Sequence, residues 1–405
     1  MPDDHQFGKL NPDNFEALTF KPPLVRGLHK LFIGILVRLN IVAIAFKHYY
    51  SPAKVKLVLS ELESLRRKYA GDYSLTKLIK VDGRYYWDMH APGWPSRAFT
   101  TYNEGEMNRI IPFRNTRDYL NSMILAITKK CPLQCLHCYE WDELNKPEKL
   151  TLNDLKKIVH KFQNNGKGVT QIQFSGGEPL SRFSDLTELL SSSGKGTDFW
   201  VVTSGFNLTR EKAMELKKAG LTGVAISLDH YDPSLHNEFR GSKESFNWVL
   251  KAVENAHHAK LVVVLSLCPA KNFVSADNLT RYALLAKKLG AAFILMIEPR
   301  RVGRWAGQDV ALTVSQERML EDFFISMNYD PEYADMPAVS YHGYHQRRVG
   351  CFGSGDRYLY IDTDGDIHVC PFCRQKLGNI LESSIDVSMD KLKNVGCHKF
   401  KHAMV

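Results

Sequence analysis

The stretch Ser-Met-Ile-Leu-Ala-Ile-Thr-Lys-Lys-Cys-Pro-Leu-Gln-Cys-Leu-His-Cys, residues 122–138, joins a strand-like run to a loop that carries three thiols. Residues 122–128 have the apolar and branched side chains of a buried strand. The spacing C-x3-C-x2-C then sets Cys131, Cys135 and Cys138 on one loop. Soft sulfur ligands suit iron–sulfur clusters or zinc. Three thiols rather than four is the informative number. A structural site closes its shell, whereas a site that does chemistry keeps a position for a small molecule. A zinc ion completed by His137 is the competing arrangement, awkward because His137 lies between two of the thiols.

Outward from this loop the chain alternates. Strand-like runs fall at 122–128, 169–174, 199–203, 223–228, 261–267 and 293–297, with helix-like stretches at 151–165, 183–192, 209–219, 244–258, 276–289 and 314–327. Thr151 with Asp154 makes a capping-box-like start for the first helix. Six successive β-α units imply a parallel sheet with right-handed crossovers. Six falls short of a closed eightfold barrel, so the expected fold is α/β, a partial (β/α)6 TIM-like barrel with chemistry at the C-terminal ends of its strands. An N-terminal domain (1–115) precedes this core (116–330), and a small cysteine-rich module (340–405) follows it. The N-terminal domain has an apolar helix over 24–50, a second helix over 52–70, and a hairpin at 77–89 that turns at Asp82-Gly83.

Most of the chemistry-bearing residues sit at strand ends. Ser175-Gly176-Gly177-Glu178-Pro179-Leu180 follows the second strand, where glycine permits close backbone approach. Thr203 and Ser204 end the third strand and Ser227 the fourth, offering hydroxyls to a ligand or to helix caps. Arg240 follows, a planar donor suited to a carboxylate. Cys268, after a strand of Val and Leu, reads as packing. Glu298, Arg300, Arg301 and Arg304 crowd one loop, either as an acidic-group site or as a solvated basic edge. Further on, the Asp364-Gly365 hairpin brings Cys351 near Cys370 and Cys373, with Cys397 as a fourth thiolate. Four cysteines suit structural zinc as well as a cluster.

The remaining composition sets bounds. The chain has 405 residues, 44% hydrophobic and 24% charged, ordinary for a globular protein with a sizeable core. Eight cysteines in two groups and one outlier read as metal ligation in a reducing compartment. No signal peptide is visible at residues 1–10, so a cytoplasmic protein is expected. The net charge of +9 favours an acidic partner, but no basic block points to nucleic acid, and none is expected. The apolar 24–50 run, with a charge at its middle, is a poor membrane span. It reads as a packed helix, or as one lying at a membrane surface with Arg26, Lys30, Arg38 and Lys47 near the headgroups.

The three-cysteine loop after the first strand of a six-unit β/α chain resembles the radical S-adenosylmethionine (SAM) superfamily over about 121–300. The resemblance implies a 4Fe–4S cluster on Cys131, Cys135 and Cys138, with an open iron that binds the methionine end of SAM. Reductive cleavage then yields a 5′-deoxyadenosyl radical that abstracts hydrogen from the substrate. It further implies that His137 lies near the adenine. Gly176, Gly177, Glu178 and Pro179 would hold the cofactor's amino group, Thr203, Ser204 and Ser227 would line its pocket, and Arg240 would pair with its carboxylate. The cysteines 351, 370, 373 and 397 resemble a SPASM/twitch extension with a second 4Fe–4S cluster. An external electron donor of flavodoxin or ferredoxin type and a peptide or small-molecule substrate follow. The alternatives are a lipid or isoprenoid phosphate at the membrane surface, with peripheral contact through 24–50, and a non-catalytic metal-stabilised sensor or nucleic-acid binder.

Overall fold

The computed structural model describes residues 19–71, 73, 77–114, 120–163, 168–351, 357–382, 384–395 and 397. Its strands are β1 (Leu24–Val25), β2 (Leu78–Val81), β3 (Arg84–Tyr86), β4 (Ser122–Thr128), β5 (Gln171–Gly176), β6 (Asp198–Thr203), β7 (Leu221–Ser227), β8 (Val262–Leu267), β9 (Phe293–Met296), β10 (Ala338–Tyr341), β11 (Tyr358–Ile361) and β12 (Ile367–His368). Its helices are α1 (Gly27–Tyr49), α2 (Pro52–Ala70), α3 (Arg97–Ile110), α4 (Leu152–Gln163), α5 (Phe183–Ser191), α6 (Arg210–Ala219), α7 (Pro233–Arg240), α8 (Ser245–His258), α9 (Ala276–Lys288), α10 (Val314–Tyr329), α11 (His342–Val349) and α12 (Ile385–Val395).

The six expected strands are β4 to β9, in chain order and all parallel. The sheet is wider than expected, because β10 continues it in parallel beyond β9 and β11 lies parallel beside β4, with β12 antiparallel at the edge. The β11–β12 hairpin of the expected C-terminal module hydrogen-bonds into the core sheet, and β10 straddles the module's expected start at residue 340. The expected capping box forms, Asp154 N–H donating to Thr151 Oγ1 at 3.2 Å while Thr151 N–H donates to Asp154 Oδ2 at 3.1 Å.

Strand alternation sends successive side chains to opposite faces. Ile172, Phe174, Val201, Val224, Ile226, Val263, Leu265 and Ile294 pack under the helices in the main core. On the other face Trp200, Ala225, Val262, Val264, Phe293 and Ala338 meet Ile79, Tyr86 and Met89 of the N-terminal domain. The N-terminal hairpin thus fills the inner face of the sheet. Its turn matches the sequence, since Asp82 (φ 49°) and Gly83 (φ 77°) both take the left-handed region that a two-residue hairpin turn requires. Polar ties fix the plug, with Gln171 Nε2 donating to the Met89 carbonyl at 2.7 Å and Arg84 pairing with Asp198 at 2.8 Å.

Above this apolar layer the inner face turns polar. Register sets Ser227 opposite Ser266, Ser266 opposite Leu295, and Leu295 opposite Ser340, one row across four strands. This row lies at the C-terminal ends of the strands, on the side of the cysteine loop.

Candidate functional site

The loop after β4 is braced on every side. Cys131 N–H donates to Asn145 Oδ1 at 3.0 Å, and Asn145 Nδ2 returns a bond to the Cys131 carbonyl at 3.2 Å. Gln134 N–H reaches the Arg240 carbonyl and Leu136 N–H the Phe239 carbonyl, so the end of α7 carries the middle of the loop. Arg304 N–H donates to the Cys138 carbonyl at 3.0 Å, while its guanidinium donates to the Gln134 carbonyl and lies 4.3 Å over the Trp141 ring. Arg304, one of the residues expected to form an acidic-group site or a solvated edge, instead supports the thiol loop.

Cys135 is buried, and Cys131 and Cys138 are half-buried. Burial pushes the Cys131 and Cys138 thiols up to about 12 and raises Cys135 as well, against the pull of the Arg240 guanidinium. Thiols in such surroundings ionise only with a cation to pair with, which a bound metal supplies. Among the described residues no three His, Cys, Asp or Glu side chains converge on a site for a single ion. A cluster whose irons each take one thiolate needs its ligands around a larger body.

The Gly176–Pro179 segment packs directly on this loop. Gly177 N–H donates to the Thr128 carbonyl and Glu178 N–H to the Lys130 carbonyl, both at 2.7 Å. A Cβ on Gly176 (φ 122°) would stand 2.4 Å from the Thr128 carbonyl oxygen, and one on Gly177 2.3 Å from that of Lys130. Both glycines are thus required by close backbone approach. Gly177→Ala is expected to push the Lys130–Cys131 segment aside, lowering iron loading and costing about 1–3 kcal/mol of stability. Iron content and a denaturant melt of the variant check this.

The Glu178 carboxylate is fully engaged. It accepts from Thr203 Oγ1 at 2.7 Å, Ser204 Oγ at 2.6 Å, Ser204 N–H at 2.8 Å and Leu180 N–H at 3.1 Å. Burial raises its pKa, and these four bonds oppose the rise by favouring the charged form. The hydroxyls of Thr203 and Ser204, expected to line the cofactor pocket, are donated to Glu178. A carboxylate buried between two strand ends must be satisfied, and these are the donors at hand.

Arg240 is buried, with Nη2 2.5 Å from Asp229 Oδ2 as an ion pair and Nη1 3.7 Å from Cys135 Sγ. Its charge is already matched by Asp229, a partner the sequence reading did not assign; its Nε is buried with no hydrogen-bond partner. Asp229 Oδ1 accepts from Cys268 N–H at 2.9 Å. Cys268 itself is buried with its thiol pushed well up, as its packing role predicts. The His137 ring stacks on Phe239 at 4.8 Å, its Nδ1 buried without a partner; burial lowers its pKa to about 4 and keeps it neutral. Two orphaned polar atoms beside three thiols fit a polar ligand held against the loop. SAM with its cluster has the amino, carboxylate and adenine groups that this donor set could take.

Arg300 and Arg301 are also engaged. Arg301 pairs with Asp309 at 2.8 Å, and Arg300 with the buried Glu298 at 3.0 Å. Glu298 also accepts from Tyr341 Oη at 2.7 Å and Arg347 Nη1 at 2.6 Å.

The second cysteine group folds beside the first. Cys373 N–H closes a turn on the Cys370 carbonyl at 3.0 Å. Burial raises the Cys370 thiol to about 11, opposed by the Phe372 backbone, with Cys373 and Cys397 near enough to add to it. Cys351 accepts from Gln346 Nε2 at 3.8 Å, and Cys351 and Cys370 both act on the buried Tyr358 hydroxyl. His398, an alternative fourth ligand, lies outside the described residues. The two groups are tied by neighbours of the thiols that sequence reading missed. Glu140, two residues past Cys138, accepts from Arg374 Nη1 at 2.7 Å and from Tyr360 Oη at 2.5 Å. Arg374 directly follows Cys373, and Tyr139 meets Phe372 and Tyr360 edge-on. No periodicity signals such a pair; only adjacency to the cysteines could have suggested it.

Residues 125–277 match the sequence model of the radical SAM superfamily. The mycofactocin maturase MftC of Mycolicibacterium smegmatis is 27% identical over 275 residues, 63% of this chain and 66% of that protein. The AdoMet-dependent heme synthase of Methanosarcina barkeri is 26% identical over 278 residues, 63% of this chain and 78% of the synthase. The PqqA peptide cyclase of Bradyrhizobium diazoefficiens is 38% identical over 144 residues, 35% of this chain and 34% of the cyclase. The fold resembles Streptococcus suis SuiB, solved with its precursor peptide SuiA, at a TM-score of 0.55 and 14% identity over 83% of this chain and 77% of SuiB.

Proposed function

Because residues 125–277 belong to the radical SAM superfamily, we propose that this chain is a peptide-modifying radical SAM enzyme whose cluster is held by Cys131, Cys135 and Cys138. The observation that carries the assignment of ligands is the braced loop: three thiols on one turn, Arg240 against Cys135, and the partnerless His137 Nδ1 and Arg240 Nε beside them. When bound, SAM and its cluster supply a 5′-deoxyadenosyl radical for hydrogen abstraction. The chain's own residues position and shield. Arg240 Nε is left to meet the cofactor's carboxylate, while Nη2 stays with Asp229. Gly176, Gly177 and Pro179 would hold the amino group through the backbone, with Glu178 as the strut that fixes them rather than a direct contact. His137, neutral and stacked on Phe239, offers Nδ1 to the adenine, and Ser227 lines the pocket from β7.

Cys351, Cys370, Cys373 and Cys397 would hold a second 4Fe–4S cluster, which would supply electron transfer or a site for substrate. A flavodoxin- or ferredoxin-type donor would supply the electron to the first cluster in the cytoplasm. A peptide substrate is favoured by similarity to a peptide cyclase and a maturase. A small molecule is the second reading, favoured by the heme synthase, which matches 63% of this chain.

Anaerobic reconstitution tests both parts. The intact chain is expected to hold about eight irons, as two four-iron clusters require. The Cys370→Ala/Cys373→Ala variant is expected to hold about four and still to release 5′-deoxyadenosine after dithionite reduction. About four irons in the intact chain, with zinc bound, would reduce the C-terminal site to a structural one.

A further inference from the structure

Helix α1 is apolar on two opposite faces, and only one of them is covered. Ile33, Val37, Ile44 and Tyr49 are buried, and polar ties fix that side to the protein. Tyr49 Oη donates to the Met107 and Ile111 carbonyls at 2.9 Å, His29 bonds the Tyr85 hydroxyl at 3.0 Å, and Trp94 Nε1 donates to Asn40 at 3.3 Å. On the other side Leu28 (84%), Leu31 (58%), Phe32 (58%), Ile35 (45%), Leu39 (60%) and Phe46 (45%) are exposed. At about 100° per residue these six fall on one stripe, about 27 Å long, opposite Ile33, Val37 and Ile44, while Tyr49 at the C-terminal end of the helix is buried at the edge of the stripe.

The charges around the stripe choose its partner. The exposed Arg38 lies about 80° to one side of it, and Lys47, exposed but 3.7 Å from the Glu104 carboxylate, about 100° to the other. Residues 17–60 contain seven Lys and Arg (21, 26, 30, 38, 47, 54 and 56) and no Asp or Glu. An apolar stripe flanked by cations, on a stretch of chain without acids, matches an anionic bilayer: side chains enter the acyl boundary while the flanking charges meet headgroups. The helix is long and apolar enough to cross a membrane. Its packed side, tied by hydrogen bonds to α3 and the hairpin, cannot face lipid and so excludes spanning.

We propose that α1 docks the protein flat on an anionic lipid surface through the stripe from Leu28 to Phe46. The inference is independent of the substrate reading, since it rests on α1 alone, which packs on α2 and α3.

Sedimentation of the full chain with vesicles tests it. Binding to phosphatidylcholine vesicles containing phosphatidylglycerol is expected to exceed binding to phosphatidylcholine alone by at least about tenfold. Phe32→Glu with Leu39→Glu is expected to weaken binding at least about tenfold while 5′-deoxyadenosine release stays at the level of the intact chain. Arg38→Glu with Lys47→Glu, which leaves the stripe untouched, is expected to remove the preference for the anionic lipid. Three results would each overturn the proposal: no sedimentation with either vesicle, binding unchanged in the Phe32/Leu39 variant, or a dimer that this variant splits in a chain that ignores vesicles. The last would assign the stripe to a second copy of the chain.

Discussion

Cys135→Ala is expected to end 5′-deoxyadenosine release, by at least about a thousandfold, while the protein stays folded. That exceeds the roughly 10–100-fold cost of removing an outer hydrogen-bond partner of a metal ligand. The loop around Cys135 is held by backbone bonds from Arg240, Phe239 and Arg304 and by the Asn145 side chain, none of which uses the thiol. Removing one buried sulfur leaves a small gap without breaking any of these braces. What is lost is the proposed ligand, the soft donor beside the Arg240 guanidinium. The checks are iron and sulfide content, the melting curve and nucleoside release, measured side by side. Release at the level of the intact chain from a properly folded Cys135→Ala protein would sink the assignment of this loop.

Asp229→Ala is expected to carry the largest stability cost, about 3–5 kcal/mol, because it strands a buried guanidinium. Arg240 and Asp229 are both buried, and the pair sits between β7, the end of α7 and the cysteine loop. Deleting the carboxylate also removes the acceptor for Cys268 N–H. The Asp229→Asn/Arg240→Gln double variant is expected to recover part of the loss, since two neutral amides can bond each other and no charge is left unpaired. Denaturant unfolding of Asp229→Asn, Arg240→Gln and the double closes the cycle. Equal costs for Asp229→Ala and an exposed control such as Asp277→Ala would show that the pair is solvated instead.

The core was legible because its signals are local. Each of β4 to β9 falls within two residues of an apolar run read from the sequence, and the helices start at residues that cap in the structure: Thr151, Thr209 and Ser275. Helix α3 was not read, because its buried positions include Glu104, Glu106 and Asn108, which interrupt any apolar period. They are buried as partners: Glu106 pairs with Arg357 at 2.9 Å, and Asn108 accepts from Phe113 N–H at 2.8 Å. In the sequence, strand β11 announces only half of a local hairpin, and its parallel pairing with β4, more than two hundred residues earlier, leaves no mark in either stretch.

The candidate site divides in the same way. The thiols and the Gly176–Gly177 turn are declared by residue type and spacing. The uses of Glu178, Thr203, Ser204 and Arg240 depend on which partner each meets across strand ends, and spacing does not specify that. The four saturated bonds of Glu178 and the Asp229 partner of Arg240 are outcomes of three-dimensional packing.

The contact between Glu140 and Arg374 has a bearing on how such chains can be recombined. Glu140 belongs to the loop of the first three cysteines, and Arg374 arrives with the last hundred residues. A C-terminal segment transplanted from a relative would have to bring a cation at the position after its C-x2-C. It would also need a strand able to lie along β4. Without the first, a carboxylate is left buried and unmatched two residues from a thiol; without the second, the sheet edge is bare. The two halves are interlocked, and neither can be exchanged alone.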